Sequence, residues 1–125
     1  MADEGATILC VDDEVTPLTL RKCVLEKSGF QVLTAASANE ALERIQVEHV
    51  DLVLTDLLMP GISGTELARE IKRLQPKLPV VLLSGVNEIP EDANHADFFL
   101  SKLEGPVALC NKISEILNSS RKTRS

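Results

Sequence analysis

The chain has 125 residues, 44% of them apolar but only 2% aromatic, and a formal charge of −6. That length suits one domain burying about two thirds of its unfolded surface, and the composition excludes disorder while demanding an aliphatic core. Arg121, Lys122 and Arg124 sit in the last eight residues without an acid, which leaves −9 on the rest, a body that repels nucleic acid and attracts cations.

Cys10, Cys23 and Cys110 are odd in number, widely spaced and set in apolar contexts, so they read as buried free thiols in a reducing compartment. The start, Met1 to Gly5, has no basic and apolar leader, and no apolar run approaches a membrane span. The expected location is cytoplasmic, away from membranes. Residues 1–5 read as an N-terminal extension, 6–117 as the domain and 118–125 as a basic tail. The tail is either an exposed terminus or linker start, or a binding segment.

In chain order, Ala6 to Val11 is a short apolar strand closed by Asp12, Asp13 and Glu14. Thr16-Pro17 predicts an N-cap with proline at the first helical position, Leu20, Cys23 and Val24 on one face, and an end near Ser28-Gly29. Gln31 to Thr34 is a second, weaker strand. Ser37-Ala-Asn-Glu40 is a capping box, with Ala38, Ala41, Leu42 and Ile45 on one stripe behind it.

Leu52 to Thr55 is a strand apolar enough to be buried on both faces, and it ends in Asp56 ahead of the breaker pair Pro60-Gly61. Alone, Asp56 reads equally as a strand terminator meeting solvent or as an acid placed for chemistry. Ser63-Gly-Thr-Glu66 repeats the capping box, with Leu67, Ile71 and Leu74 as the buried stripe and Pro76 as the stop. Pro79 to Ser84 is a fourth strand. From Val86 to Ala96 the apolar pattern fails around Pro90, leaving one short helix at most. Asp97 to Lys102 is the fifth strand, and Gly105-Pro106 opens a last helix with Leu109, Ile113 and Ile116 on one face, fraying after Leu117.

Strands alternating with helices predict a parallel sheet between helical layers. All carboxyl ends of a parallel sheet share one edge, so Asp12, Asp13, Asp56, Ser84 and Lys102 converge where open α/β sheets bind ligands. Three carboxylates in one crevice repel unless a cation compensates them. Oxygen donors without His or Cys suit Mg2+, which keeps several waters and recruits phosphate oxygens. With the Lys102 amine and the Ser84 hydroxyl added, such a crevice can surround a phosphoryl group and stabilise its transfer.

Four blocks carry a resemblance: Val11-Asp12-Asp13-Glu14, Thr55-Asp56-Leu57-Leu58-Met59-Pro60-Gly61, Leu82-Leu83-Ser84-Gly85 and Asp97-Phe98-Phe99-Leu100-Ser101-Lys102. In this order, over nearly the whole chain, they resemble the response-regulator receiver domain of two-component signalling. The resemblance implies a flavodoxin-like three-layer sandwich with a five-stranded parallel sheet of order 2-1-3-4-5. It implies that Asp56 takes a phosphoryl group from a histidine kinase or phosphotransfer protein, and that Asp13, Asp56 and the backbone carbonyl of Leu58 bind Mg2+, with Asp12 reaching it through water. Lys102 would pair with a phosphoryl oxygen, Ser84 stands at the switch hydroxyl and Phe99 at the switch aromatic. Such a module catalyses only its own phosphorylation and dephosphorylation, and switches a downstream target as a monomer or weak dimer. Phe99 has a second reading as a static core ring. His49 and His95 read as surface or helix-end residues.

The sequence departs from the resemblance in three places. Leu103 follows Lys102 where the family commonly has a cis proline, and because a non-proline cis bond costs about 3 kcal/mol a trans bond is expected. Only seventeen residues separate Ser84 from Lys102, so the helix between the fourth and fifth strands is expected to be short or irregular and the output surface atypical. Leu58 and Val86 flank the site with apolar side chains, which would hinder an attacking water and lengthen the phosphoryl lifetime. Two rival functions are a pseudo-receiver that binds partners without phosphorylation and a Mg2+-dependent phosphatase. The phosphatase would need a second acid where Leu58 stands.

Overall fold

Continuous Val, Ile and Leu runs have no polar face to give to water, so they pair in the middle of a sheet covered on both sides. The computed structural model describes residues 5–57, 61–85, 98–101 and 105–124, with side chains of the last helix described to Ser119. Five strands, β1 (Thr7–Val11), β2 (Gln31–Ala35), β3 (Leu52–Asp56), β4 (Val80–Ser84) and β5 (Phe98–Ser101), pair in parallel in the order β2-β1-β3-β4-β5. This is the expected flavodoxin-like order. Four helices accompany them among the described residues: α1 (Val15–Lys27), α2 (Ala38–Val47), α3 (Gly64–Leu74) and α4 (Gly105–Arg124).

Side chains alternate across a strand, and here the alternation sorts the core into two layers. Ile8, Cys10, Leu52, Leu54, Val81 and Leu83 pack with Leu18 and Leu25 of α1 and Ile113, Ile116 and Leu117 of α4. Leu9, Val11, Val53 and Val80 pack instead with Ala38, Ala41 and Ile45 of α2 and Leu67, Ala68 and Ile71 of α3. The strand β3 is therefore buried along its whole length, Asp56 included.

The capping boxes form. Ser37 Oγ accepts from the Glu40 N–H at 3.1 Å, and Ser63 Oγ accepts from the Glu66 N–H at 3.2 Å. The Glu40 carboxylate reaches one residue further back than a reciprocal box requires, accepting from the Ala36 N–H at 2.8 Å. The end of α1 is a Schellman turn at Gly29, whose φ of 99° a side chain would resist. The Phe30 N–H donates to Leu25 O and the Gly29 N–H to Glu26 O, and Phe30 and Leu25 are both core residues.

Five sequence expectations are corrected. Helix α1 starts at Val15 with Glu14 as its N-cap and no side-chain cap bond, so Thr16-Pro17 lies inside the first turn. Proline is tolerated there because the first four N–H groups of a helix have no internal partner. The buried positions become Leu18 and Leu25, one heptad apart, while Leu20 is 62% exposed and Cys23 is exposed; only Cys10 of the three cysteines is buried. In α3, Leu74 is exposed and Ala68 takes its place in the core, because the helix ends one residue later at the Gln75 cap. Helix α4 runs past Leu117 to Arg124, since no Gly or Pro follows to stop it once the apolar stripe has ended.

At the amino edge of the sheet, Asp51 ties β1 to β3. Its N–H donates to Thr7 O and its carboxylate accepts from the Thr7 N–H, each at 2.8 Å, while its other oxygen meets His49 Nε2 at 2.8 Å. His49 is 78% exposed, as expected of a surface residue. The region expected to hold the short fourth helix, the Lys102-Leu103 peptide and His95 lie outside the described residues.

Candidate metal centre

The carboxyl edge is built by strand endings in register. Val11 is level with Thr55 on β3, and Asp56 is level with Leu83 on β4, so Asp12, Asp13, Asp56 and Ser84 come at the ends of three adjacent strands. The Asp12 N–H still donates to Ala35 O at 3.2 Å, and the Leu57 N–H to Leu83 O at 2.9 Å. Asp12 and Asp56 are thus each fixed by a backbone bond at or just after the acid. Asp12 and Asp56 continue the Ile8-Cys10 and Leu52-Leu54 alternation, which puts both on the α1 and α4 side of the sheet.

Asp12, Asp13 and Asp56 each offer a carboxylate oxygen, and these atoms lie within 4.8 Å of one another. Asp12 is 2% and Asp56 5% exposed, whereas Asp13 faces solvent. Two donors hold Asp12: the Glu14 N–H at 2.9 Å on Oδ1 and the Arg21 guanidinium at 2.8 Å on Oδ2. Ser84 is buried at the end of β4, one residue past Leu83, which is level with Asp56. Phe99 is half-buried on the edge strand β5, on the opposite face from Phe98, which packs against the α1 and α4 core. Leu58, Val86 and Lys102 lie outside the described residues.

Reasoning from sequence missed two residues at this site. Arg21 falls between Leu18 and Leu25 on the inward stripe of α1, a stripe the apolar pattern does not mark because Val15, Leu20 and Cys23 lie on other faces and are exposed. Gly64, the first residue of α3, donates its N–H to Leu57 O at 2.8 Å and lies so close that a Cβ there would collide with the backbone carbonyl of Asp56. A glycine beside a capping serine signals nothing by itself; its role comes from the helix abutting the acid's own backbone.

The sequence model of the response regulator receiver domain matches residues 8–114.

The chain belongs to the response regulator receiver domain family.

The transcriptional regulatory protein GlrR of Escherichia coli is 35% identical over 96% of the chain, which covers 28% of GlrR. A CheY-like response regulator receiver domain protein from Methanospirillum hungatei superposes with a TM-score of 0.88 at 32% identity, covering 96% of this chain and 99% of that one. The response regulator TrrA from Thermotoga maritima, solved in complex with Mg(2+)-BeF, gives 0.82 at 32% identity, covering 88% and 97%. This receiver spans less than half the length of the curated relatives it matches.

Receiver domains carry Mg2+ at an acidic pocket of this type, and the donors here fit the ion. They are hard oxygens on adjacent strand ends, close enough to repel without a cation, with one carboxylate open to solvent as an entry side. Among the described residues no helix is long and apolar enough to cross a membrane.

Proposed function

We propose that this receiver accepts a phosphoryl group on Asp56 from the phosphohistidine of a histidine kinase or phosphotransfer protein. A carboxylate oxygen of Asp56 attacks the phosphorus, the O–P bond forms as the N–P bond breaks, and the electron pair returns to the imidazole ring. Asp13, Asp56 and the Leu58 carbonyl would hold Mg2+, with Asp12 reaching it through water. The bound ion supplies charge neutralisation to the phosphoryl oxygens. Lys102 pairs with one of those oxygens and Ser84 donates its hydroxyl to another. Phe99 follows that hydroxyl inward, and the altered face changes the affinity for a downstream target.

The observation that carries this reading is the convergence of three carboxylate oxygens within 4.8 Å around a strand end buried on both faces. Burial fixes the acceptor, and the neighbouring acids create the demand for a cation. Incubation with acetyl phosphate and Mg2+ should add the mass of one phosphoryl group to the intact chain. Asp56→Asn should add none. An unchanged parent mass, or equal labelling of the variant, overturns the assignment.

A further inference from the structure

A counter-charge is already built into the acidic pocket. Arg21 Nη1 donates to Asp12 Oδ2 at 2.8 Å, with the two side chains 13% and 2% exposed, so the pair is largely shielded from water. Arg21 also lines an apolar cavity of about 430 Å³ between α1 and α4, beside Pro17, Val24, Leu83 and Leu109. The short bond at its head, in a pair shielded from water, leaves the guanidinium little freedom. It is therefore a fixed cation at the edge of a group of three carboxylates whose ligand atoms already lie within 4.8 Å of one another.

We infer that Arg21 is a tethered counter-cation that weakens the pocket's affinity for Mg2+ while stabilising the ion-free protein. The inference rests on the metal-pocket reading given above. With Arg21 in place an incoming dication meets one unit less of negative charge than it would without it. The guanidinium also occupies an oxygen of Asp12 that would otherwise turn toward the ion or its water. In a shielded site one unit charge at such range changes ion affinity by about tenfold or more. The two effects oppose each other: the ion-free fold needs Arg21 because a buried carboxylate without a partner is destabilising, and the ion-bound pocket does better without it. Arg21 thereby sets the Mg2+ concentration at which the site becomes loaded.

The test measures Mg2+ binding to the unphosphorylated protein by calorimetry, alongside urea unfolding with and without the ion. Arg21→Met keeps the apolar stem, and Arg21→Gln keeps a donor for Asp12; both remove the charge, and Arg21→Lys retains it. The expected result is about tenfold tighter Mg2+ binding in the Met and Gln variants, with lower stability in its absence and a larger gain on adding it. The Lys variant should stay near the parent. Should Arg21→Met fail to fold without the ion, Arg21→Gln carries the comparison. Equal or weaker binding in the neutral variants, with stability lowered by the same amount in both conditions, makes Arg21 a structural brace only and overturns the inference. Asp13→Asn separates the two levels. Loss of binding in that variant with no effect at Arg21 defeats this inference alone, whereas a parent that binds no Mg2+ defeats the metal-pocket reading and this inference with it.

Discussion

At the scale of single residues, burial decides what each polar group can do. Cys10 lies in the centre of β1 with no exposed surface, and burial pushes its thiol up from 9.0 to about 12, the charge of Arg21 opposing this in part. The unfolded chain releases that proton near pH 9 and the folded chain holds it to about pH 12. The native state therefore binds more protons across that interval, so this contribution to stability is complete below pH 9 and falls by about 1.4 kcal/mol per unit as pH climbs through it. The parent should lose stability over this range more steeply than Cys10→Ala, as read from urea midpoints at stepped pH. At neutral pH an alkylating reagent should modify the exposed Cys23 readily and Cys10 only after unfolding.

Elements turn these residues into a site, and at the junction of β3 with α3 they approach closely. Gly64 sits so close to β3 that an added Cβ would press on the Asp56 carbonyl and come within 2.9 Å of Leu57 Cα and Leu82 Cδ2. Gly64→Ala should cost about 1–3 kcal/mol in urea unfolding, as overpacking against backbone does. It should also slow phosphoryl uptake by displacing Asp56, whereas Ser63→Ala, which removes only the cap, should cost about 1 kcal/mol and leave uptake near the parent rate. Elements are also where the sequence is most and least legible. Strands such as Val80 to Ser84 announce themselves because an aliphatic run bounded by polar residues has few other uses. The carboxyl-edge acids follow from sheet direction alone, and Asp12, Asp13 and Asp56 indeed meet. Helix α1 was harder, because Pro17 suits the first helical position and draws the predicted start along the chain. The apolar residues of α1 are spread around the helix, so periodicity does not single out the inward stripe of Leu18 and Leu25 over Leu20 and Cys23, and the pairing of Arg21 with Asp12 is a tertiary contact that it does not encode.

The whole molecule is held by two layers of contacts on a shared sheet, and the α1 and α4 layer ends in the last helix. Ile113, Ile116 and Leu117 are all at least 97% buried there. Each buried aliphatic side chain contributes about 1.5–3 kcal/mol, and domains of this size have only about 5–15 kcal/mol of net stability. A chain stopped after Asn111 should therefore lack cooperative unfolding by circular dichroism. One stopped after Ser119 keeps every described core residue and should unfold as one transition, with a midpoint close to the parent's.

Because all five strands run the same way, the protein has two rims with separate duties. Asp12, Asp13 and Asp56 meet at one, and the other is stitched by the paired bonds of Asp51 and Thr7. A dye or surface tether fixed at His49, on the stitched rim, would turn with the rigid sheet yet stay clear of the acids. The molecule thus offers a handle for single-particle tracking or immobilisation that leaves the acidic rim open to visitors.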